Sequence, residues 1–304
     1  MNKLFMMVGL QASGKSHQSK IFAERYNAEI FSSDAYRAIY GSGEEDQSIN
    51  QIVFEHLEKD IFNALADGRN VIYDATNTSS KRRRAFLEKF KKLKVEKICV
   101  LVLRSYENCL IANNNRERKV PVKDIKKLYM SFQTPYIEEG WDKIELIYTD
   151  NDSTCLGEPF QFAKKYKNYD QNNYHHSQTL GEHLSSAYCY IVDNYGKDKY
   201  FKELSYAAIM HDMAKPFCRT CVNRKGIVDE YSHYYGHDSV GSYDVLFIDT
   251  DTADKLLISF LISYHMRPLN WVSSEKAKRR DRMNWGEEKF DLICKLNKAD
   301  VESH

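Results

Sequence analysis

The sequence predicts an α/β half, with a parallel sheet flanked by helices, followed by an all-helical half. Three observations carry this prediction. Up to Asp150, short β-rich apolar runs alternate with amphipathic helical segments, the pattern of parallel strands joined by helical crossovers. Beyond a polar, turn-rich stretch, strand candidates become few and apolar residues recur at helical spacing. The 304 residues are too many for one ordinary core and about right for two.

In the first half the strand candidates are LFMMVGL, AEIF, NVIYD, EKICVLVL and KIELIYTD. Between them, Val53, Leu57, Ile61, Ala64 and Leu65 follow a helical stripe, and SSKRRRAFLEKFKKLK opens on a serine suited to cap a helix. The stretch from 151 to 174, NDSTCLGEPFQFAKKYKNYDQNNY, is taken as a linker between domains at 1–150 and 175–304. Helical periodicity then returns in Leu180, Leu184, Ala187 and Ile191, in Leu204, Ala207 and Ala208, in Leu257, Phe260 and Leu261, and in Ile293 and Leu296. The sequence shows no internal repeat and no low-complexity tract.

Composition excludes several classes. With 21 Tyr and 15 Phe and an ordinary apolar fraction, the chain is not a disordered one. It has no window of about 18 apolar residues and no N-terminal apolar core with a cleavage site, so a cytoplasmic protein without a membrane partner is expected. Seven scattered cysteines fit a reducing compartment better than a disulfide framework. A net charge of +1 gives no whole-protein field for nucleic acid. The local runs KRRR (81–84), KKLK (91–94) and RERK (116–119) are either contacts for polyphosphate or solvated helix faces.

The first chemical motif is GLQASGKS, Gly9 to Ser16, lying after an apolar strand candidate and before a helical segment. It satisfies G-x-x-x-x-G-K-[ST] in the context that motif needs. Glycines let successive N–H groups converge on phosphate oxygens, so Gly9, Ser13 and Gly14 frame the cradle. The following helix adds its dipole, Lys15 a point charge, and Ser16 a magnesium ligand. The expected cofactors are therefore ATP, or another nucleoside triphosphate, and Mg2+. Further on, SSDAYR places Asp34 and Arg37 three apart after the second strand. The carboxylate can take the proton of an attacking hydroxyl while the arginine holds an acceptor phosphate; the plainer reading is a helix cap and a surface charge.

Together the P-loop, SSDAYR, NVIYDATNTSSKRRR and NNNRERKVPVKDIKKLYMSFQTP resemble the kinase domain of 5'-hydroxyl polynucleotide kinases over nearly all of residues 1 to 150. The resemblance implies that Asp34 is the general base and that Arg37 grips the acceptor's phosphate. It also puts Asp74 near the magnesium and Thr76 and Asn77 near the acceptor, with a lid arginine, Arg116 or Arg118, on the donor phosphates.

In the second half, histidines and aspartates fall on apolar stripes. His211 continues Leu204, Ala207 and Ala208; His265 continues Leu257 and Leu261; Asp300 follows Ile293 and Leu296. An ionisable group there is costly unless paired or bound to metal, and this ligand mixture suits Zn, Mn, Fe, Ni or Co. The segments YHHSQTLGEHL, HDMAKP, HYYGHDSVG and HM are similar to the HD module of bacterial tRNA nucleotidyltransferases, within the HD phosphohydrolase superfamily. That resemblance implies an all-α HD domain whose metal ligands are His183, His211, Asp212 and Asp300, with His237 and His265 serving a second ion. It further implies a metal-activated water attacking a phosphoester, for which Lys215 either holds the substrate phosphate or merely caps a helix C-terminus with charge. His175, His176 and His233 are left as supporting or structural groups, and the lone C-x-x-C of Cys218 and Cys221 as structural.

Both resemblances point to one purpose. The first domain adds a 5'-phosphate and the second removes a 3'-phosphate or opens a 2',3'-cyclic phosphate, on RNA or DNA ends destined for a separate ligase. Enzymes of this kind often place the HD module first, whereas here the kinase comes first. Two rivals compete: a small-metabolite kinase fused to a nucleotide phosphohydrolase, and an ATP-operated switch acting on the HD domain.

Overall fold

A computed structural model describes the chain except residues 42, 44–47, 151–155, 174–176 and 304. It divides into two compact units, residues 1–128 with 135–153, and residues 129–134 with 154–304.

In the first unit β1 (Lys3–Val8) leads through the P-loop into α1 (Lys15–Tyr26). Next come β2 (Ala28–Ser32), α2 (Ser33–Tyr40), α3 (Asn50–Ala66), β3 (Asn70–Asp74), α4 (Ser80–Lys89), β4 (Glu96–Leu103) and α5 (Tyr106–Asn114). The unit closes with α6 (Val122–Tyr129), a short 3-10 turn at Ile137–Glu139 and β5 (Lys143–Tyr148). All five strand candidates form one sheet, in the order β2-β3-β1-β4-β5, and every pairing is parallel. Helices cover both faces, which is why β1 and β4 read as continuous apolar runs rather than alternating ones: Leu4 to Val8 and Cys99 to Leu103 are fully buried. The predicted stripe of α3 faces inward as well, with Val53, Leu57, Ile61 and Ala64 fully buried; Val53, Leu57 and Ile61 each contribute roughly 1.5–3 kcal/mol. The chain reverses direction across the sheet between β1 and β3, and the crevice beyond their carboxyl ends is where such sheets bind ligands.

Two local expectations change. Ser79 occupies the N-cap of α4, but its side chain makes no capping hydrogen bond. Within the KRRR run, Arg83 is neither a solvated charge nor a phosphate contact; it is buried, and its guanidinium makes a two-pronged ion pair with Glu139 at 2.7 and 2.6 Å.

The second unit is mostly helical: α7 (Gln161–Lys165), α8 (Leu180–Tyr195), α9 (Phe201–Met210), α10 (Lys215–Cys218), α11 (His237–Asp244), α12 (Lys255–Tyr264), α13 (Pro268–Trp271) and α14 (Glu275–Glu302). Thr179 and Glu182 start α8 with a reciprocal capping box. Gly286, at φ 76° and ψ 166°, interrupts α14 and divides it into two helical pieces. The expectation of an all-helical half fails at 220–233, where β6 (Thr220–Val222) and β7 (Val228–His233) form an antiparallel hairpin. Its turn carried a signal that helical periodicity hides: Asn223 Oδ1 accepts from the Lys225 and Ile227 amides, Gly226 has φ +79°, and β-branched residues flank both sides.

The stretch expected as a linker is also structured where described. Helix α7 lies so close to α8 that a Cβ on Gly181 would meet the Ala163 carbonyl oxygen at 2.3 Å, and the Gly181 and Leu180 amides donate to Tyr166 and Tyr169. Polar composition misled here because the amides of a helix start, rather than apolar side chains, hold the segment.

Candidate functional site

The P-loop site is built mainly from backbone. Gly9 has no room for a side chain, since a Cβ would stand 2.5 Å from the Val102 carbonyl oxygen, and Gly14 is left-handed at φ 95° where α1 begins. The Gly9 amide donates to Thr76 O at 3.1 Å, and Asn77 Nδ2 donates to Met7 O at 2.9 Å, tying the loop to the DATN segment after β3. From the other side Arg104 Nη1 donates to Ala12 O at 3.0 Å, and Thr149 Oγ1 to Ser13 O at 2.7 Å. Neither Arg104 nor Thr149 stood out in the sequence, because each is a single polar residue ending a strand. Arg83 Nη1 reaches Asn77 O at 3.0 Å, so the buried Arg83–Glu139 pair supports the DATN segment too.

Lys15 is buried and donates to Leu10 O at 2.6 Å. Burial pulls its pKa down, and the charge of Asp74 opposes that fall. Asp74 is pushed up, first by burial, with Lys15 and the hydroxyls of Ser16 and Ser19 pulling it back. A lysine, a serine and a carboxylate thus meet where the cradle opens. Ser13 Oγ and Gln11 Oε1 are buried without hydrogen-bond partners among the described residues, so the loop holds polar atoms that its own fold leaves unsatisfied. The residues present therefore fit a magnesium-bound triphosphate.

Asp34, whose side chain is about half exposed (49%), sits in the first turn of α2 with Oδ1 2.6 Å from Arg37 Nη1. Arg37 is buried and held from α3, its Nε and Nη2 each 3.2 Å from Asn50 Oδ1. Arg118 Nη1 lies 3.9 Å from Asp34 Oδ2, and the charges of Asp34 and Arg116 both act on Lys15. Asp34, Arg37 and Arg118 are thus linked by ion pairs, and the charges of Asp74, Arg116 and Asp34 all act on Lys15.

The second unit gathers six side chains drawn from far apart in sequence. His183 comes from α8, His211 and Asp212 from the end of α9, His237 from the start of α11, His265 from the end of α12, and Asp300 from α14. They form two groups, His183–His211–Asp212–Asp300 and Asp212–His237–His265, in which the ligand atoms lie within 4.8 Å of one another. Asp212 belongs to both. Its Oδ2 is 3.5 Å from His183 Nε2 and 3.4 Å from His211 Nε2, while its Oδ1 is 3.1 Å from His237 Nε2 and 3.7 Å from His265 Nε2. Asp300 Oδ1 completes the first group at 3.2 and 3.3 Å from the same two nitrogens.

The hydrogen bonds behind the rings decide what the cluster can hold. Nδ1 of His211, His237 and His265 faces the carbonyl oxygens of Ala208, Tyr234 and Ile262 at 2.8, 2.7 and 2.7 Å, which assigns the ring proton to Nδ1 and leaves Nε2 as an inward lone pair. His183 and His211 then bring their Nε2 atoms to 3.1 Å of each other, and His237 and His265 theirs to 3.2 Å. Converging lone pairs and carboxylates in a buried site require a cation. Asp212 Oδ1, buried yet without a hydrogen bond, shows the same need, because its histidine neighbours carry their protons on the far side. Without metal a proton is the substitute. Burial lowers the His211 pKa, but Asp212 and Asp300 outweigh it and raise the value to about 10; His183 and His237 are raised against burial in the same way. Asp212 and Asp300 stay well below the usual carboxylate range although burial opposes this, Asp212 chiefly through Lys215 and His211, Asp300 through His183 and His211. The set fits one or two divalent ions.

Lys215 starts α10 and is buried, 2.6 Å from Asp212 Oδ2 and 2.7 Å from Gln171 Oε1. It does not close a helix C-terminus. Gln171 lay in the expected linker, and nothing in its composition marked it. His233 pairs instead with Asp229 at 3.1 Å on the hairpin, away from both groups, while His175 and His176 lie outside the described residues. Cys218 is buried, Cys221 exposed, and both are free thiols.

A family described as an AAA domain matches residues 4–135. The L-seryl-tRNA(Sec) kinase of Methanococcus maripaludis is 26% identical over 144 residues, covering 46% of this chain and 56% of that protein. The chain thus spans about half the length of the curated relative it matches. Among solved structures, a candidate kinase of Chloroflexus aurantiacus aligns with TM-score 0.41 and 15% identity, over 49% of this chain and 88% of that one. A chain of the Pnkp1/Rnl/Hen1 RNA repair complex aligns with TM-score 0.38 and 20% identity, over 42% of each. With the parallel sheet, the family match makes the first half a kinase-like P-loop domain.

Proposed function

We propose that this chain heals nucleic-acid ends from both directions, phosphorylating 5'-hydroxyl ends with ATP and hydrolysing 3'-phosphate or 2',3'-cyclic phosphate ends. The observation that carries the reading is the presence, in one chain, of an open acceptor carboxylate beside the P-loop lysine and a double histidine–aspartate set bridged by Asp212. In the first reaction Asp34 takes the proton of the 5'-hydroxyl as its oxygen bonds to the terminal phosphorus and the bond to the ADP oxygen breaks. Arg37 is placed to hold the acceptor's own phosphate. Lys15 with Arg116 or Arg118 offsets the charge that spreads over the transferred group, and Ser16 and Asp74 would hold Mg2+.

In the second reaction His183, His211, Asp212 and Asp300 would hold one divalent ion, and Asp212, His237 and His265 another. Such ions supply an acidified water and charge neutralisation. Lys215, fixed between Asp212 and Gln171, is placed to bind the phosphate that departs. Once the 3'-phosphate, present at the start or left when the cyclic phosphate is opened, has been hydrolysed, the 5'-phosphate and 3'-hydroxyl ends call for a separate ligase as partner.

The test is RNA bearing a 5'-hydroxyl and a 3'-phosphate, incubated with ATP and a panel of Mg, Mn, Ni, Co, Zn and Fe ions. The reading expects 5'-labelling that Lys15→Ala abolishes and phosphate release that Asp212→Asn abolishes. Labelling of a small alcohol but no polynucleotide end rejects the kinase assignment; phosphate release that survives Asp212→Asn rejects the metal assignment. The seryl-tRNA kinase relative favours a second reading of the acceptor alone, a hydroxyl carried elsewhere on an RNA, and aminoacylated tRNA offered in the same assay separates the two.

A further inference from the structure

A basic face on the second unit belongs to neither site. The first piece of α14 reads EKAKRRDRMNW, and Lys276, Arg279, Arg280 and Met283 recur at three- and four-residue spacing, so they share one side of the helix. With Glu275 and Asn284 they line an open pocket of about 430 Å³. The carboxylates nearby neutralise it only in part. Asp281 is buried and gripped by Arg267 through Nε and Nη2 at 3.0 and 2.7 Å and by the Trp271 indole at 3.0 Å, with Arg280 Nε reaching its other oxygen at the longer 3.5 Å. Glu275 reaches Arg279 only at 3.7 Å in full solvent exposure, a pairing worth little. Lys276 and Lys278 make no ion pair among the described residues. Among these cations Met283 is exposed by 85%.

We infer that this face binds the phosphate backbone of a single-stranded nucleic acid, cations to phosphates and the exposed Met283 side chain against bases. Charge complementarity selects the occupant, because the chain as a whole is near neutral at +1 while this helix face holds three cations against one carboxylate. An exposed apolar side chain, Met283, set among the cations favours a strand with unstacked bases over a duplex or an acidic protein. Position adds to the argument: Arg267, which anchors the helix through Asp281, lies two residues after His265 of the metal cluster. The face is thus built onto the segment that supplies a metal ligand, where it can hold a strand whose 3' end is being processed. This last step rests on the hydrolase reading above; binding itself does not.

The test compares the full chain with Lys276→Glu/Arg279→Glu/Arg280→Glu. The probe is a fluorescent single-stranded RNA whose 5' end already carries phosphate, so that the kinase has no hydroxyl to take. Anisotropy titrations at two or more salt concentrations are expected to show at least tenfold weaker binding, and a salt slope reduced by roughly 2, about 0.7 for each lost phosphate contact on a single strand. Arg279→Lys/Arg280→Lys is expected to keep both affinity and slope, which excludes misfolding as the cause. In hydrolysis the triple variant is expected to raise KM for the RNA 3' end while leaving turnover of a mononucleotide 2',3'-cyclic phosphate unchanged. Equal affinity and slope in wild type and triple variant overturn the proposal, and so does preference for a duplex or an acidic polypeptide. If no hydrolysis is seen with any metal, the titration still decides, so the two readings fail separately.

Discussion

At the P-loop, neighbours in sequence are held through their main chain, at the Gly9 amide and the Ala12 and Ser13 carbonyls, whereas the histidine–aspartate cluster draws six side chains from five helices or helix ends. The first site keeps its key charge in reserve. Lys15 donates to the Leu10 carbonyl, Asp34 is half-buried and Ser16 exposed, and the loop's own fold leaves Gln11 Oε1 and Ser13 Oγ unsatisfied among the described residues. The second has spent nearly every group on its neighbours and turns two pairs of nitrogens inward, 3.1 and 3.2 Å apart, where a cation fits. A backbone site tolerates changes in most of its side chains, while a site made of side chains depends on each of them, and most on the one that is shared.

The largest effect therefore belongs to Asp212. Asp212→Asn removes charge from both groups at once, so metal affinity should fall by more than the ~100-fold typical of outer-shell changes, and the equivalents of metal retained, measured by mass spectrometry, should drop. His233→Ala, outside both groups, should leave it unaltered. If the Asp212 variant retains two equivalents of metal, the shared-ligand contrast is wrong.

Next comes Asp34→Ala, expected to cut phosphoryl transfer by about 10²–10⁴-fold while nucleotide affinity, measured by calorimetry, stays at the wild-type level. An equal loss of nucleotide affinity would make Asp34 part of the cradle and blur the distinction between backbone and side-chain roles.

Arg83→Met probes a place where the backbone-built site leans on a fully buried ion pair. It leaves Glu139 charged and facing only the Trp141 indole at 2.9 Å, a loss of roughly 3–5 kcal/mol in stability. Arg83→Met/Glu139→Leu should recover much of that in denaturant titrations, because no buried charge is then left alone. A single variant as stable as wild type would show that the DATN segment needs no such support.

The smallest effect is a pH dependence confined to metal-free protein. There His211 keeps its proton in the fold up to about pH 10, whereas an unfolded histidine releases it near its ordinary 6.5. The raised value means that the proton's stabilisation is fully present below 6.5 and drains away as pH climbs toward 10. The melting temperature of chelator-treated protein should thus fall across that window, and a divalent ion, which takes the proton's place, should flatten the curve. A flat curve without metal would remove the argument that the cluster is short of positive charge.

Legibility in the sequence follows the same divide. The P-loop and all five parallel strands could be found because hydrogen-bonded turns and two-sided burial are recorded in neighbouring residues. His211, His265 and Asp300 showed themselves only as ionisable groups interrupting apolar stripes, and His183 and His237 needed the resemblance as well. The hairpin at 220–233 was missed because its alternation is short and interrupted by a charged turn. The linker was misjudged because segment 161–171 is held through main-chain amides and Gln171 rather than through apolar side chains.

By itself the sequence determined what depends on near neighbours: the glycine cradle, the order of strands and helices, and the break between an α/β texture and a helical one. Tertiary structure alone decided that Arg83 leaves its basic run for the core, that Arg104 and Thr149 brace the P-loop, and that one carboxylate, Asp212, faces two histidine pairs. The physical reason is range. Hydrogen-bonded turns and apolar periodicity act over a few residues, whereas desolvation and charge pairing act between whichever groups the folded chain buries side by side.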